Sequence, residues 1–416
     1  MENRYDKYKD SGIAWIGEIP EHWEVKRLKY FGNNYNGLTY SPNDICSSQE
    51  GIIVLRSSNI KDNKLCFDDN VYVNKEIPTK LLVNKGDILI CSRNGSASLI
   101  GKAALIETDI KATFGAFMMI FKGNNICHKY LYYIVTSCIS QYKWLFTTAT
   151  INQLTSSMLG EIFAPFICNK LEQQSIAAYL DQKCGKIDEL ITLQEEMITK
   201  LQSYKQSVIT EAVTKGLNKN VPLKDSGIEW IGEIPEHWSK NKIIRLFSII
   251  GSGTTPKSSK EDNYNGSINW IQSGDINGGD IEICKNTISY TAFKEYPALK
   301  IYQAPFIIVA MYGASVGNIS ISQIDGCVNQ ACCVMNETKQ NFKYLFYAMN
   351  SVKKYLIYRA EGGGQPNISQ DKIKNTWLPI PPLFEQQSIS TYLDQKCGEI
   401  DELISIKQQK IEKLKE

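Results

Sequence analysis

Few residues in this 416-residue sequence could carry catalytic chemistry, and those few are poorly spaced for it. Of three histidines, His22 and His237 occupy the same place in two copies of one motif, and His128 stands alone. That pattern suits turn packing beside Trp23 and Trp238 better than acid–base or metal work. Twelve cysteines are scattered without a CxxC pair, and the adjacent Cys332 and Cys333 suit neither a disulfide nor zinc. Reduced, mostly buried thiols are expected, and with them a cytoplasmic protein. The segment GSASLIGKA (95–103) has five residues between its glycines and Ala103 where a phosphate loop carries Ser or Thr. GSGTTPK (251–257) and EGGGQPN (361–367) are glycine-rich but open no helix in a βαβ setting. Neither an Asp/Asn-Pro-Pro-aromatic sequence nor a nuclease-like cluster of acids and lysine is present. The residues predict a chain without its own catalytic or metal centre.

Recognition chemistry is better represented. Arginine reads guanine in the major groove of DNA, and Asn or Gln reads adenine. Only six arginines occur, so their positions carry weight. Polar turns at matching places in two halves of the chain hold the candidates. VLRSSNI (54–60) lies opposite WIQSGDI (270–276), ICSRNGSASLIGKAAL (90–105) opposite VAMYGASVGNISI (309–321), and TINQLTSS (150–157) opposite GQPNISQD (364–371). The first half thus offers Arg56, Asn59, Arg93, Asn94, Asn152 and Gln153 as DNA contacts. The second offers Thr255, Lys257, Gln272, Tyr312, Ser315, Gln330, Gln365 and Asn367. A net charge of +2 gives no global attraction to nucleic acid, so binding rests on local patches or on a basic partner.

The elements that position these turns follow from an internal duplication. DSGIAWIGEIPEHW (10–23) returns as DSGIEWIGEIPEHW (225–238), and EQQSIAAYLDQKCGKIDELI (172–191) as EQQSISTYLDQKCGEIDELI (385–404). Each repeat of roughly 210 residues is a short motif, a variable block and a helical motif. The variable blocks, 24–170 and 239–383, alternate short β-like runs with Gly/Asn/Asp turns and one aromatic helix, which predicts an α+β globular domain, twice. No apolar run is long enough to span a membrane, and the charged start MENRYDKYKD is no secretory signal.

From Glu172 to Lys215 there is no proline and one glycine. Ile176, Leu180, Ile187, Leu190, Met197, Leu201, Tyr204 and Val208 form a heptad-like seam, and Gly216 fits a C-terminal stop. The second copy repeats the seam at Ile389, Leu393, Ile400, Leu403 and Leu414 and ends at Glu416, about thirteen residues sooner by alignment with the first. The economical arrangement pairs the two helices, antiparallel, as a coiled-coil-like rod of roughly 66 Å between the blocks. The organisation expected is a first globular domain over 1–170, a spacer helix over 171–216, a second globular domain over 217–383 and a distal helix over 384–416. Trp15, Trp23, Trp230 and Trp238 are expected to form docking surface against the rod or a partner.

Taken together, the two DSGI-WIGEIPEHW copies, RSSNI, GASVGN, VNQACC, GGGQPNIS, PIPPLFEQQSI and both YLDQKCG helices resemble the specificity subunit of type I restriction–modification systems. The resemblance covers essentially the whole chain. It implies that each variable block reads one half of a bipartite, asymmetric DNA sequence and that the helices fix the gap. It further implies a non-catalytic subunit that holds two methyltransferase subunits and recruits a restriction/translocase subunit. S-adenosylmethionine, ATP and Mg2+ would then belong to those partners and not to this chain. A complex that only methylates, lacking a restriction subunit, is the alternative.

Overall fold

The computed structural model describes residues 5–146, 152–360 and 367–415. Contacts divide the chain into two compact units, Met1–Asp188 and Glu189–Glu416, each a mixed α/β assembly.

In the first unit the repeated motif folds as a hairpin, Tyr8–Asp10 against Glu18–Pro20, with Gly12 and Gly17 at positive φ in the turn. An antiparallel sheet orders the strands Ala103–Leu105, Ile88–Cys91, Met118–Gly123 and Gly32–Asn36. Ile88–Cys91 is apolar at every position because both of its faces are covered. Ile88 and Ile90 pack on the helix α1 (His128–Gln141), whereas Leu89 and Cys91 face a second core beneath another sheet. That other sheet orders Ala112–Phe114, Ile52–Leu55, Val71–Val73 and Ile45–Cys46. A short helix α2 (Ser156–Glu161), capped by the Thr155 hydroxyl, leads to the strand Phe163–Phe166, which pairs with Glu24–Arg27. The helix α3 (Lys170–Lys215) follows, and Ile176 and Ala177 pack into this unit's core.

The second unit repeats the plan. The hairpin Leu223–Asp225 with Glu233–Pro235 stands in the same place. A five-stranded sheet orders Ile249–Gly251, Cys332–Asn336, Phe306–Ala310, Ile319–Ser322 and Asp280–Ile281. Its central strand is again buried on both faces, with Ile307 and Val309 on one side and Phe306, Ile308 and Ala310 on the other. A three-stranded sheet is built on Tyr264–Ile271. The helices are α4 (Tyr290–Glu295), α5 (Phe342–Tyr358), α6 (Gln370–Lys374) and α7 (Leu383–Lys415).

Within this unit the latter part of α3 runs antiparallel to α7. Lys205 pairs with Asp401 at 2.7 Å and Lys407 donates to Gln194 at 3.3 Å. The covered stripe of α7 comprises Ile389, Leu393, Cys397, Ile400 and Ile411, with Leu414 half-buried. Leu403 is turned outward at 47% exposure, and Leu190, Met197 and Tyr204 are exposed as well, which corrects the expectation that all four sit in the seam. The seam advances by fours through Leu393 and Cys397, and that rotates Leu403 off the contact face. Leu201 on α3 is half-buried, as are Leu180 and Ile187 in the first unit.

Candidate nucleic-acid interface

Each unit is closed by residues of the two repeated motifs. In the first, the indole Nε1 of Trp23 donates to Glu172 Oε1 at 2.9 Å, and Tyr5 donates to the same oxygen at 2.7 Å. His22 Nε2 lies 3.0 Å from the other carboxylate oxygen. In the second, Trp238 Nε1 donates to Glu385 Oε2 at 3.0 Å while His237 Nε2 lies 2.6 Å from Oε1. Both glutamates stand in the first turn of their helix, where the exposed backbone N–H groups favour a negative charge. The histidines hold helix ends, in keeping with their expected packing role. Trp15 and Trp230 pack against their own unit's core, and each has a buried indole N–H without a partner among the described residues.

The same helices hold the block from beneath at two further points. Buried Gln173 accepts from Cys127 N and donates to Ile167 O, and Gln386 accepts from Asn341 N and donates to Pro381 O. Asp181 takes Lys129 and the Tyr133 hydroxyl, and Asp394 takes Lys343 and the Tyr347 hydroxyl. Burial, and then the hydrogen bond to the neighbouring carboxylate, push both phenols far above their ordinary range. Sequence comparison showed these Glu, Gln and Asp letters repeated but not what they touch.

On this frame the candidate readers separate into those that are free and those already engaged. Arg93, Gln153, Asn36, Thr39, Phe117 and Thr155 line one cleft of the first unit. Arg93 and Gln153 form a backbone bridge across it. Tyr312 and Asn367 occupy the corresponding places in the second unit, where Ile368 N donates to Met311 O as Leu154 N donates to Ser92 O. Beside Tyr312, the Thr255 hydroxyl donates to Gln330 Oε1 at 2.5 Å. Burial pushes the Tyr312 phenol up, and a hydrogen bond with Gln330 opposes that shift. Thr255, Gln330 and Tyr312 thus form one cluster. Lys257 is exposed, its backbone N–H donating to the Tyr296 hydroxyl.

Three first-unit candidates, Asn59, Arg56 and Asn94, are engaged elsewhere. Asn59 is fully buried, accepting from Arg56 N and donating to Cys66 O, Asp69 O and Asn70 Oδ1. It is a turn staple and not a base reader. Arg56 is half-buried and ion-paired with Asp69 at 2.7 Å. Asp275 repeats the first part of the staple, accepting from Gln272 N at 2.8 Å. Asn94 is half-buried, its amide within 3.3 Å of Ser57 Oγ and its carbonyl oxygen accepting from Ser96 N. Asn152 has a buried Oδ1 without a partner among the described residues, and Ser315 is a half-buried turn residue accepting from Asn318 N through its carbonyl. Gln365 lies outside the described residues. Phe117, Asn36 and Thr39 escaped sequence analysis because no repeat or motif marks them.

Among the described residues no group of three or more His, Cys, Asp or Glu is placed to hold a metal, and no helix is long and apolar enough to cross a membrane.

The duplicated frame has a counterpart among known proteins. A family model described as the type I restriction modification DNA specificity domain matches residues 20–202 and again 235–416. The chain belongs to this family. It carries two DNA specificity domains and is the recognition component, not the catalytic one. Relatives of the specificity chain include a Methanocaldococcus jannaschii protein provisionally named the MjaX type I restriction enzyme specificity subunit. That protein is 28% identical over 96% of this chain and 91% of its own. The EcoKI specificity subunit of Escherichia coli K12 is 24% identical over 91% of this chain and 83% of its own. A chain from a structure concerning complex assembly and conformational transition of the type I R-M system superposes with a TM-score of 0.67. It covers 95% of both chains at 16% identity, so the likeness is one of fold.

Proposed function

We propose that the two units read the two halves of a bipartite, asymmetric site in double-stranded DNA, with the helices over 171–216 and 384–416 setting the gap. The recognition domains are 1–170 and 217–383. The observation that carries this reading is a common backbone frame with different side chains at corresponding points. Arg93 and Gln153 stand in one unit where Tyr312 and Asn367 stand in the other. Two readers on equivalent mounts, with different chemistry, fit an asymmetric target better than a palindrome.

The chain serves as a cytoplasmic scaffold for two methyltransferase subunits and a restriction/translocase subunit, which bring S-adenosylmethionine, ATP and Mg2+. Support for two equivalent partners comes from apolar residues at matching exposed positions on the helices. Leu171 is 73% and Tyr179 46% exposed in the first unit, and Phe384 is 71% and Tyr392 36% exposed in the second. Large apolar side chains left in water at the same places mark partner surface. Replacing residues 24–170 with the block of another family member, in complex with the methyltransferase, tests the reading. One half of the methylated sequence should change. A change in both halves, or in neither, overturns it.

A further inference from the structure

Among the arginines of the first unit that are described, Arg27 is paired with Glu161 at 2.8 Å and Arg56 with Asp69 at 2.7 Å. Arg93 differs. It is exposed, lines the cleft with Gln153, and its guanidinium has no hydrogen bond or ion pair with a described residue. Its backbone is fixed on two sides. Ser92 N and Arg93 N both donate to Phe117 O, at 3.0 and 3.1 Å, and Leu154 N donates to Ser92 O at 2.8 Å. The guanidinium carbon sits 5.6 Å from the centroid of the Phe117 ring, which is itself 61% exposed. An aromatic ring within cation–π reach of a guanidinium narrows the positions the fork takes at little cost, since Arg is weakly hydrated and packs on aromatic faces.

We infer that Arg93, positioned beside Phe117, is the guanine-reading fork of the first unit, donating to O6 and N7 of one guanine in that half-site. Bidentate donation to guanine is the chemistry a pre-oriented planar fork matches best. A phosphate contact would need no such orientation, because a phosphate accepts from many directions. Tyr312 stands at the corresponding place in the second unit, so the fork belongs to one half only. Phe117 acts here as a positioning residue. The inference rests on the proposed function.

The test uses the complex of this chain with its methyltransferase partner, reading methylated sites by methylome sequencing and rates on defined duplexes. R93Q should lower discrimination at a single G·C pair of one half-site on the order of 10- to 100-fold, leaving the other half unchanged. Replacing that guanine with 7-deazaguanine, which lacks the N7 acceptor, should slow the wild-type complex and leave R93Q unaffected. F117A should weaken discrimination at the same base pair, and F117Y should restore it. Unaltered discrimination in R93Q overturns the inference, as does a loss spread evenly over all sequences, the mark of a phosphate contact. Failure of the proposed function would look different, since the wild-type complex would then methylate no bipartite site at all.

Discussion

The indole of Trp238, buried to 1% exposure, donates to the carboxylate of Glu385 across 147 residues of chain. Trp23 and Glu172 make the same bond in the first unit across 149 residues. Each variable block is therefore clasped at its base by two residues that the duplication preserved. Removing the acceptor leaves a buried N–H unpaired. E385A should cost the second unit about 1–3 kcal/mol, seen as a lower urea midpoint. Glu229 lies exposed in the same motif, and E229A should change stability by under about 0.5 kcal/mol and leave the midpoint nearly in place. Equal effects would mean that the clasp contributes nothing.

The first clasp also gives a pH dependence. Burial raises the Glu172 carboxyl, but hydrogen bonds from Trp23, Tyr5 and His22 outweigh it and hold the group below its usual 4.5. A carboxyl depressed in the folded state contributes stability that is fully present above the unfolded value and is lost as pH falls through the folded one. Stability of wild type should therefore fall on acidification below about pH 4.5 more steeply than that of E172Q. Parallel acid limbs in thermal melts from pH 3 to 6 would contradict this.

Asn59 should matter for folding and not for reading. N59A leaves two carbonyls and an N–H without their partner in a closed turn, at a cost of about 2–3 kcal/mol to the first unit. The methylated sequence should be unaltered. A changed half-site would restore Asn59 as a base contact.

Leu171 and Tyr179 stand largely in water on α3, where Lys183 lies 5.6 Å from the Tyr179 ring. The pair L171D/Y179D should leave the melting temperature within about a degree or two of wild type, as exposed substitutions do. Native mass spectrometry should then find two methyltransferase subunits on wild type and one on the variant. Retention of both would remove the argument from paired exposed positions.

Lengthening α3 by seven residues between Glu172 and Gly216 adds about 10 Å of helix while keeping the seam on nearly the same face. The methylated site should keep both halves and change its gap. An unchanged gap would dissociate the helix from spacing.

The duplication made the two-unit plan legible, since repeated letters and turn-bounded apolar runs are local signals. Strands such as Ile88–Cys91 could be located without knowing that both faces are covered. Distance in sequence hid the clasps, because nothing in EQQSI names a tryptophan 149 residues upstream as its partner. Asn59 was misjudged for a different reason. Asn and Asp at matching turn positions can be a variable reader or a fixed side-chain acceptor for the N-cap amide, and Asp275 shows that the acceptor was the shared job. Leu403 was misplaced because Cys397, a small hydrophobe, took the seam position that shifts the stripe.

Two clasps of nearly the same sequence in one chain pose a problem of order in time. Trp23 must wait for Glu172, which at 5–20 residues per second arrives roughly 7–30 s later on the ribosome. At that moment the second tryptophan motif has not been made, so the first unit closes without a rival. After dilution from denaturant all four segments are present at once, and Glu172 lies nearer in sequence to Trp238 than to Trp23, so a crossed closure spans the shorter loop. The newborn chain is spared a rival partner that the refolding chain meets from the start.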